Sequence, residues 1–191
     1  MSIGNHKNYL IIDVEATCCH DDAFPTTEME MIEIGAVMVC GETLDKLSEF
    51  CTFIKPVRHP NLTQFCTELT TITQEDVDAA PNYQEAIKQL KVWLYQFEDF
   101  LFCSWGDYDK AQFMQDCGLH KVPYPIPAPH LNIKKQFSKA QRVRKRQGMN
   151  DALKLAGIPL EGTHHRGIDD ANNMVKLMPF VLGRKFISRQ K

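Results

Sequence analysis

Near its start the chain runs from Tyr9, Leu10, Ile11 and Ile12, four residues fit for a buried strand, directly into Asp13, and Glu15 follows after one valine. Side chains along a strand alternate between its two faces, so residues two apart share a face. Asp13 and Glu15 therefore stand side by side at the end of a strand whose beginning is apolar. Two carboxylates about 5 Å apart repel by roughly 3 kcal/mol at an effective dielectric near 20. A fold that keeps this strand must give the pair a reason to be there.

The bulk of the chain narrows the setting. A length of 191 residues fits one domain over 1–191, and 43% hydrophobic with 24% charged residues is ordinary for a globular protein. No apolar run is long enough to cross a bilayer, and MSIGNHKNYL lacks the apolar core of a secretory signal, so no membrane partner is expected. Seven cysteines are an odd number, several of them inside apolar segments such as FLFCS, which points to reduced thiols and a cytoplasmic protein. Cys18, Cys19 and His20 are adjacent, but no second pair at zinc-site spacing follows. The net charge of −2 gives no global signature of nucleic-acid binding. Locally, KKQFSKAQRVRKRQ (134–147) carries seven cations and no acid. Such a run is either a solvated face or a phosphate contact.

The pattern of elements is α/β. EMEMIEIGAVMVC and TLDKLSEFCTFI read as second and third strands of a meander, ended by Pro56 and Pro60. Thr73 with Asp76 resembles a capping box, and Ile87, Leu90, Leu94 and Phe97 form one helical stripe. FLFCS (100–104) reads as a buried strand, followed by a helix that Gly118 is placed to close. Alternate prolines at 123, 125, 127 and 129 mark an extended connector. HLNI reads as a short strand, the basic run as a helix, and Asn150 as the cap of DALKLA. A last helix begins near Asp169. The order predicts a mixed central β-sheet flanked by α-helices.

Two further acidic groups fall where α/β sheets carry their functional loops: Asp107 and Asp109 after FLFCS, and Asp169 and Asp170 after His165. If one of each joins Asp13 and Glu15, only a cation can hold four carboxylates together. Oxygen ligands of this kind suit Mg²⁺ or Mn²⁺, and two such ions clamp the attacking and leaving oxygens of a phosphodiester. A histidine close by, such as His165, titrates in the range a general base needs. Taken singly, each group has a plainer role: a solvated strand end, a helix cap with a first-turn acid, or a surface histidine.

IIDVEAT, WGDYDKAQF and HHRGIDDANN together resemble the three motifs of the DEDDh 3′ to 5′ exonucleases, which have a ribonuclease H-like fold. FCTELTTITQEDVDAA, HLNIKKQFS and EGTHHRGIDDA resemble more narrowly the Eri-type branch, which includes 3′ exonucleases of histone messenger RNA, small interfering RNA and ribosomal RNA, and bacterial sporulation-inhibitor relatives. The likeness runs from about Tyr9 to Leu182. It implies release of nucleoside 5′-monophosphates from single-stranded 3′ ends, RNA before DNA, with two Mg²⁺ per site and Mn²⁺ able to substitute. It implies Asp13 bridging both ions, Glu15 and Asp170 on one, Asp109 on the other, and His165 as general base. Asp107 and His164 are the alternatives to Asp109 and His165. The backbone at Ala16 and Thr17 would face the terminal nucleotide, beside an unusual loop of Cys18, Cys19, His20, Asp21 and Asp22. Arg166 would meet a phosphate or be a surface arginine, and Trp105 would be core. Two other readings of the same fold are a noncatalytic nucleic-acid-binding module and a DNA-specific proofreading-type exonuclease.

Overall fold

The computed structural model describes residues 3, 6–20 and 23–188. Asp21 and Asp22, expected in the loop after the first strand, lie outside the described residues. Five strands form one sheet: β1 (Asn8–Ala16), β2 (Met31–Cys40), β3 (Lys46–Phe53), β4 (Phe100–Ser104) and β5 (His130–Asn132). Their order is β3-β2-β1-β4-β5. The first three strands are an antiparallel meander, whereas β4 and β5 run parallel to β1. The helices are α1 (Gln64–Thr70), α2 (Gln74–Asp78), α3 (Tyr83–Leu94), α4 (Tyr108–His120), α5 (Ile133–Ala140), α6 (Met149–Ala156) and α7 (Gly167–Val181). Among the described residues no helix is long and apolar enough to cross a membrane.

The central strand sorts its residues between two cores. Leu10, Ile12 and Val14 pack in a cluster with residues of α3 and α4, while Tyr9 and Ile11 pack with residues of α5, α6 and α7. Tyr9, Leu10, Ile11 and Ile12 are fully buried, and each contributes on the order of 2 kcal/mol. The same alternation carries Asp13 and Glu15 onto the α7 side of the sheet.

Local signals place most elements, and the departures have local causes. Thr73 and Asp76 make the reciprocal capping box that starts α2, and Asn82 caps α3 separately. α1, which periodicity does not announce, is capped by the Thr63 side chain on the Cys66 N–H. Gly118 does not close α4; the helix runs on to His120 and Lys121 takes the left-handed conformation at φ 54°. The basic helix stops at Ala140, and Arg142 at φ 56° turns the remaining cations onto a loop. Asn150 lies inside α6, whose N-cap is Gly148, and α7 begins at Gly167 ahead of Asp169. Trp105 is partly buried against the α5–α7 core, 6.0 Å from the Phe137 ring.

Candidate active site

The site lies where β1 and β4 part company. Their parallel pairing ends at Ile11 and Cys103, and the chain after β4 swings into α4. Val14, further along β1, gives its N–H to the Asp109 carboxylate at 3.2 Å. The end of pairing frees a backbone donor, and the first turn of α4 supplies the acceptor. Such crevices beyond the carboxyl ends of parallel strands are where α/β sheets bind ligands.

On the other side of β1, Asp13 lies opposite Gly35 and Glu15 opposite Glu33 in the antiparallel register. Gly35 has no side chain for a reason: a Cβ there would sit 2.0 Å from the Gly167 carbonyl carbon. Gly167 is constrained less severely, since its Cβ would come to 3.0 Å from the Asp13 carbonyl oxygen and the Gly35 nitrogen, a tight contact that a small shift would relieve. This backbone contact seats the N-terminus of α7 directly on the carboxylate strand, and Asp170 follows three residues later. Oxygens of Asp13, Glu15 and Asp170 consequently lie within 4.8 Å of one another. Glu15, Asp109 and Asp170 are buried and Asp13 partly so.

The two acids considered after β4 separate cleanly. Asp109 turns inward to β1, whereas the exposed Asp107 pairs with Lys135 Nζ at 2.7 Å. Lys135 and Asn132 hold the Asp107 carboxyl below its ordinary range.

The site's charge is out of balance. Burial, then the neighbouring Asp109, Glu15, Asp170 and Glu33, pushes Asp13 well above the usual carboxylate range. Burial and then Asp170, Glu33 and Asp109 push Glu15 up to about 8. Asp109 rises to about 6 through burial, offset by backbone N–H groups and the Ser104 hydroxyl. Asp170 is raised by burial and partly relieved by His164. Four crowded, partly or fully buried carboxylates, with oxygens of three of them within 4.8 Å of one another and able to converge on one ion, fit a hard divalent cation.

The two histidines meet Asp170 through different groups. His164 Nδ1 lies 2.9 Å from Asp170 Oδ2, and the backbone N–H of His165 donates to the same oxygen at 3.0 Å. The His165 imidazole stacks on that of His164 with ring centroids 4.0 Å apart. His165 is in the left-handed region at φ 65°, uncommon outside glycine but entered by histidine, asparagine and aspartate more readily than by other residues. Burial, followed by the charge of His164, lowers its pKa. A neutral imidazole can accept a proton.

Three expected substrate contacts are engaged inside the protein. The Ala16 carbonyl accepts from the Cys66 thiol at 3.7 Å, and the Thr17 N–H donates to the Glu30 carbonyl at 2.8 Å. The Thr17 hydroxyl accepts the Glu30 N–H. These bonds fix the irregularity in register after Glu15. Arg166 directs Nε and Nη2 to the two oxygens of Glu33, at 3.1 and 3.2 Å, and lies over the Phe53 ring. A phosphate would have to compete with that carboxylate. Cys18, Cys19 and His20 do not gather as metal ligands among the described residues; Cys19 donates to the Phe24 carbonyl and His20 packs against Phe65.

Glu33 is the residue that reading the sequence misses. It is fully buried, and besides Arg166 it accepts the Gly167 N–H at 2.9 Å. It thereby ties the entry of α7 to β2. The visible trace is an acid inside the apolar run MIEIGAV.

Residues 10–178 match the model of the RNase T exonuclease family. The chain is 33% identical to "ERI1 exoribonuclease 3" of Mus musculus across 95% of its own length and 56% of that protein's. It is 30% identical to "3'-5' exonuclease eri1" of Schizosaccharomyces pombe, over 88% of the chain and 66% of the relative. The chain therefore spans little more than half the length of the first of these curated relatives. Among solved structures it superposes on the nuclease domain of 3'hExo, a DEDDh family member bound to rAMP, with a TM-score of 0.85 and 26% identity, covering 98% of each chain.

Proposed function

Because this chain belongs to the RNase T exonuclease family, with its likeness to Eri-type DEDDh members, we propose that it is a 3′–5′ exoribonuclease. It removes nucleoside 5′-monophosphates from the 3′ ends of single-stranded RNA, depends on a divalent metal, and works in the cytoplasm. The observation that carries the reading is the convergence of Asp13, Glu15 and Asp170 beside Asp109 in a buried, over-charged cleft. The names of the relatives and the rAMP in the 3'hExo structure favour RNA. The free thiols, three of them buried, suit a reducing compartment.

Asp13, Glu15 and Asp170 would hold one Mg²⁺ and Asp109 would support a second, with Mn²⁺ able to replace either. Bound there, the ions would supply positive charge to the transferring phosphate and acidify water. The protein's own residues do the remainder. A ring nitrogen of His165 takes a proton from the water whose oxygen bonds to phosphorus as the P–O3′ bond breaks, and the leaving 3′ oxygen takes up a proton from solvent to become a hydroxyl. Glu33 holds Arg166 and Gly167 so that the histidine loop and Asp170 keep their places. Ala16 and Thr17 act as a rigid wall next to Glu15 where the terminal ribose would lie.

One contact favours a second assignment of the base. His164, not His165, has its imidazole on Asp170, so His164 is the alternative proton acceptor. The test is a time course on 5′-labelled single-stranded RNA beside matched DNA, in Mg²⁺, Mn²⁺ or EDTA, with the Asp13→Ala, His164→Ala and His165→Ala variants. A metal-dependent ladder shrinking from the 3′ end, lost in Asp13→Ala and His165→Ala, is expected. Intact RNA with the unaltered protein overturns the activity. A ladder surviving in His165→Ala but lost in His164→Ala moves the base.

A further inference from the structure

Outside the carboxylate cleft, the strongest unassigned charge on the molecule is the turn after α5. Arg142, Arg144, Lys145 and Arg146 are exposed, as is Lys139 on the last turn of the helix. Among the described residues none of the five has an acidic partner. The cation of this segment that does have one, Lys135, pairs with Asp107. In a chain of net charge −2, so concentrated a group of unpaired cations is kept at an electrostatic cost to itself.

Two features distinguish this turn from an ordinary solvated face. The first is its anchorage. The Trp105 indole N–H, just past β4, donates to the Gln147 carbonyl at 3.2 Å, and Lys135 holds Asp107 from the other end of the segment. Both attachments are to residues 105–107, immediately before Asp109. Since a chain extends at most about 3.6 Å per residue, Arg144, Lys145 and Arg146 are held within about three residues' reach of the Trp105 anchor, on the β4–α4 connection that carries Asp109. The second is an aromatic neighbour. Phe186 is 69% exposed and, with Arg142, Gln141, Ala140 and Ile187, lines a cavity of about 370 Å³. Gln141 fixes this wall by donating to the Phe180 and Lys185 carbonyls and accepting the Ile187 N–H. Cations tracking a backbone beside an exposed ring for a base are the chemistry of sequence-tolerant single-strand binding.

We propose that the turn Arg142–Arg146, with Lys139 and Phe186, is a second RNA-binding surface that takes the strand 5′ of the bond being cut. The inference rests on the single-stranded RNA reading above. It makes substrate length, not the terminal nucleotide, the quantity this surface controls: short oligonucleotides fill the cleft alone, while longer ones reach the turn.

Binding is measured by fluorescence anisotropy in EDTA, so that nothing is cut, using 5′-labelled RNAs of about 4 and about 20 nucleotides over a range of NaCl. Charge reversal at Arg142, Arg144 and Lys145 to Glu is expected to weaken the long RNA at least tenfold and leave the short one unchanged. It should also flatten the plot of log affinity against log salt by about 0.7 for each phosphate that is no longer neutralised. Lysine at the two arginine positions should preserve most of the affinity, which separates charge from misfolding. Phe186→Ala should weaken the long RNA several-fold with the salt slope unaltered. Equal affinity and slope in the charge-reversed protein overturn the proposal, as does an unaltered protein that binds the long RNA no better than the short. Failure of the exonuclease reading shows elsewhere, as RNA left uncut in Mg²⁺ by the unaltered protein.

Discussion

Two sets of buried acids lie in this molecule, and they are treated in opposite ways. Glu30 is 1% exposed, and its oxygens accept backbone N–H groups from Val57, Arg58 and His59. Asp116, fully buried, accepts the Met31 N–H at 2.7 Å and the Gln112 amide. Each of these carboxylates is engaged by the protein's own donors, Glu30 by three backbone N–H groups and Asp116 by two donors that offset part of its burial. Around Asp13 and Glu15, no donor among the described residues bonds either side chain, and the neighbours are other carboxylates. A buried acid surrounded by N–H groups organises backbone; a buried acid surrounded by acids awaits a cation. Glu33 is intermediate, a member of the crowded group by position yet neutralised by Arg166.

The contrast is broken most sharply by deletion. Asp13→Ala should lower RNA cleavage by at least ~10³-fold, read as initial rate, because charge stabilisation at the phosphate is lost. Its thermal midpoint should stay level or rise, because a source of repulsion leaves with it. Glu30→Gln should do the reverse. Loss of charge-assisted bonds to three N–H groups costs about 2–3 kcal/mol in denaturant unfolding, while activity per folded molecule stays near that of the unaltered protein.

The difference between these groups was only partly legible in the sequence. Asp13 and Glu15 could be read because alternation in a strand is local, and the pairs Asp107/Asp109 and Asp169/Asp170 because acids at helix starts are local, although the residues alone did not choose within either pair. Glu33 could not, because it meets Glu15 only through the antiparallel register and Arg166 only through the docking of α7. The same limit explains α1, whose short run has just Cys66 and Thr70 buried and thus no periodicity to detect. The end of the basic helix was hidden for a related reason. A left-handed Arg142 carries no compositional mark of the kind a glycine gives.

pH sharpens the comparison. Without metal, Glu15 titrates near 8 in the folded protein against an ordinary value of 4.5. Its protonated form favours the fold, so its contribution is complete below about 4.5 and is lost as pH rises through 8. Asp116 behaves alike over a lower window, from 3.8 to about 6. Thermal midpoints in EDTA should therefore fall from mildly acidic pH to above 8, and Mg²⁺ should restore the fall above about 6 in full but the fall below it, where Asp116 titrates together with Asp109, only in part. Equal restoration across both windows would erase the distinction drawn between the two groups.

The smallest effect is expected at Asp107. Its partner Lys135 is about half exposed, and surface pairs contribute roughly 0–1 kcal/mol. Asp107→Asn should leave stability within that range and cleavage within about twofold, whereas Asp109→Asn should cost most of the activity. Comparable losses in both would return Asp107 to consideration.

Calorimetric titration of the metal-free protein with Mn²⁺, at pH 6 and pH 8, bears most directly on the claim that the under-donated acids form a cation site. Binding should tighten at the higher pH and release more protons at the lower, because the carboxylates must ionise to ligate. It should vanish in Asp13→Ala and persist in Glu30→Gln. Absence of binding in the unaltered protein, or the same isotherm in Asp13→Ala, would contradict the account.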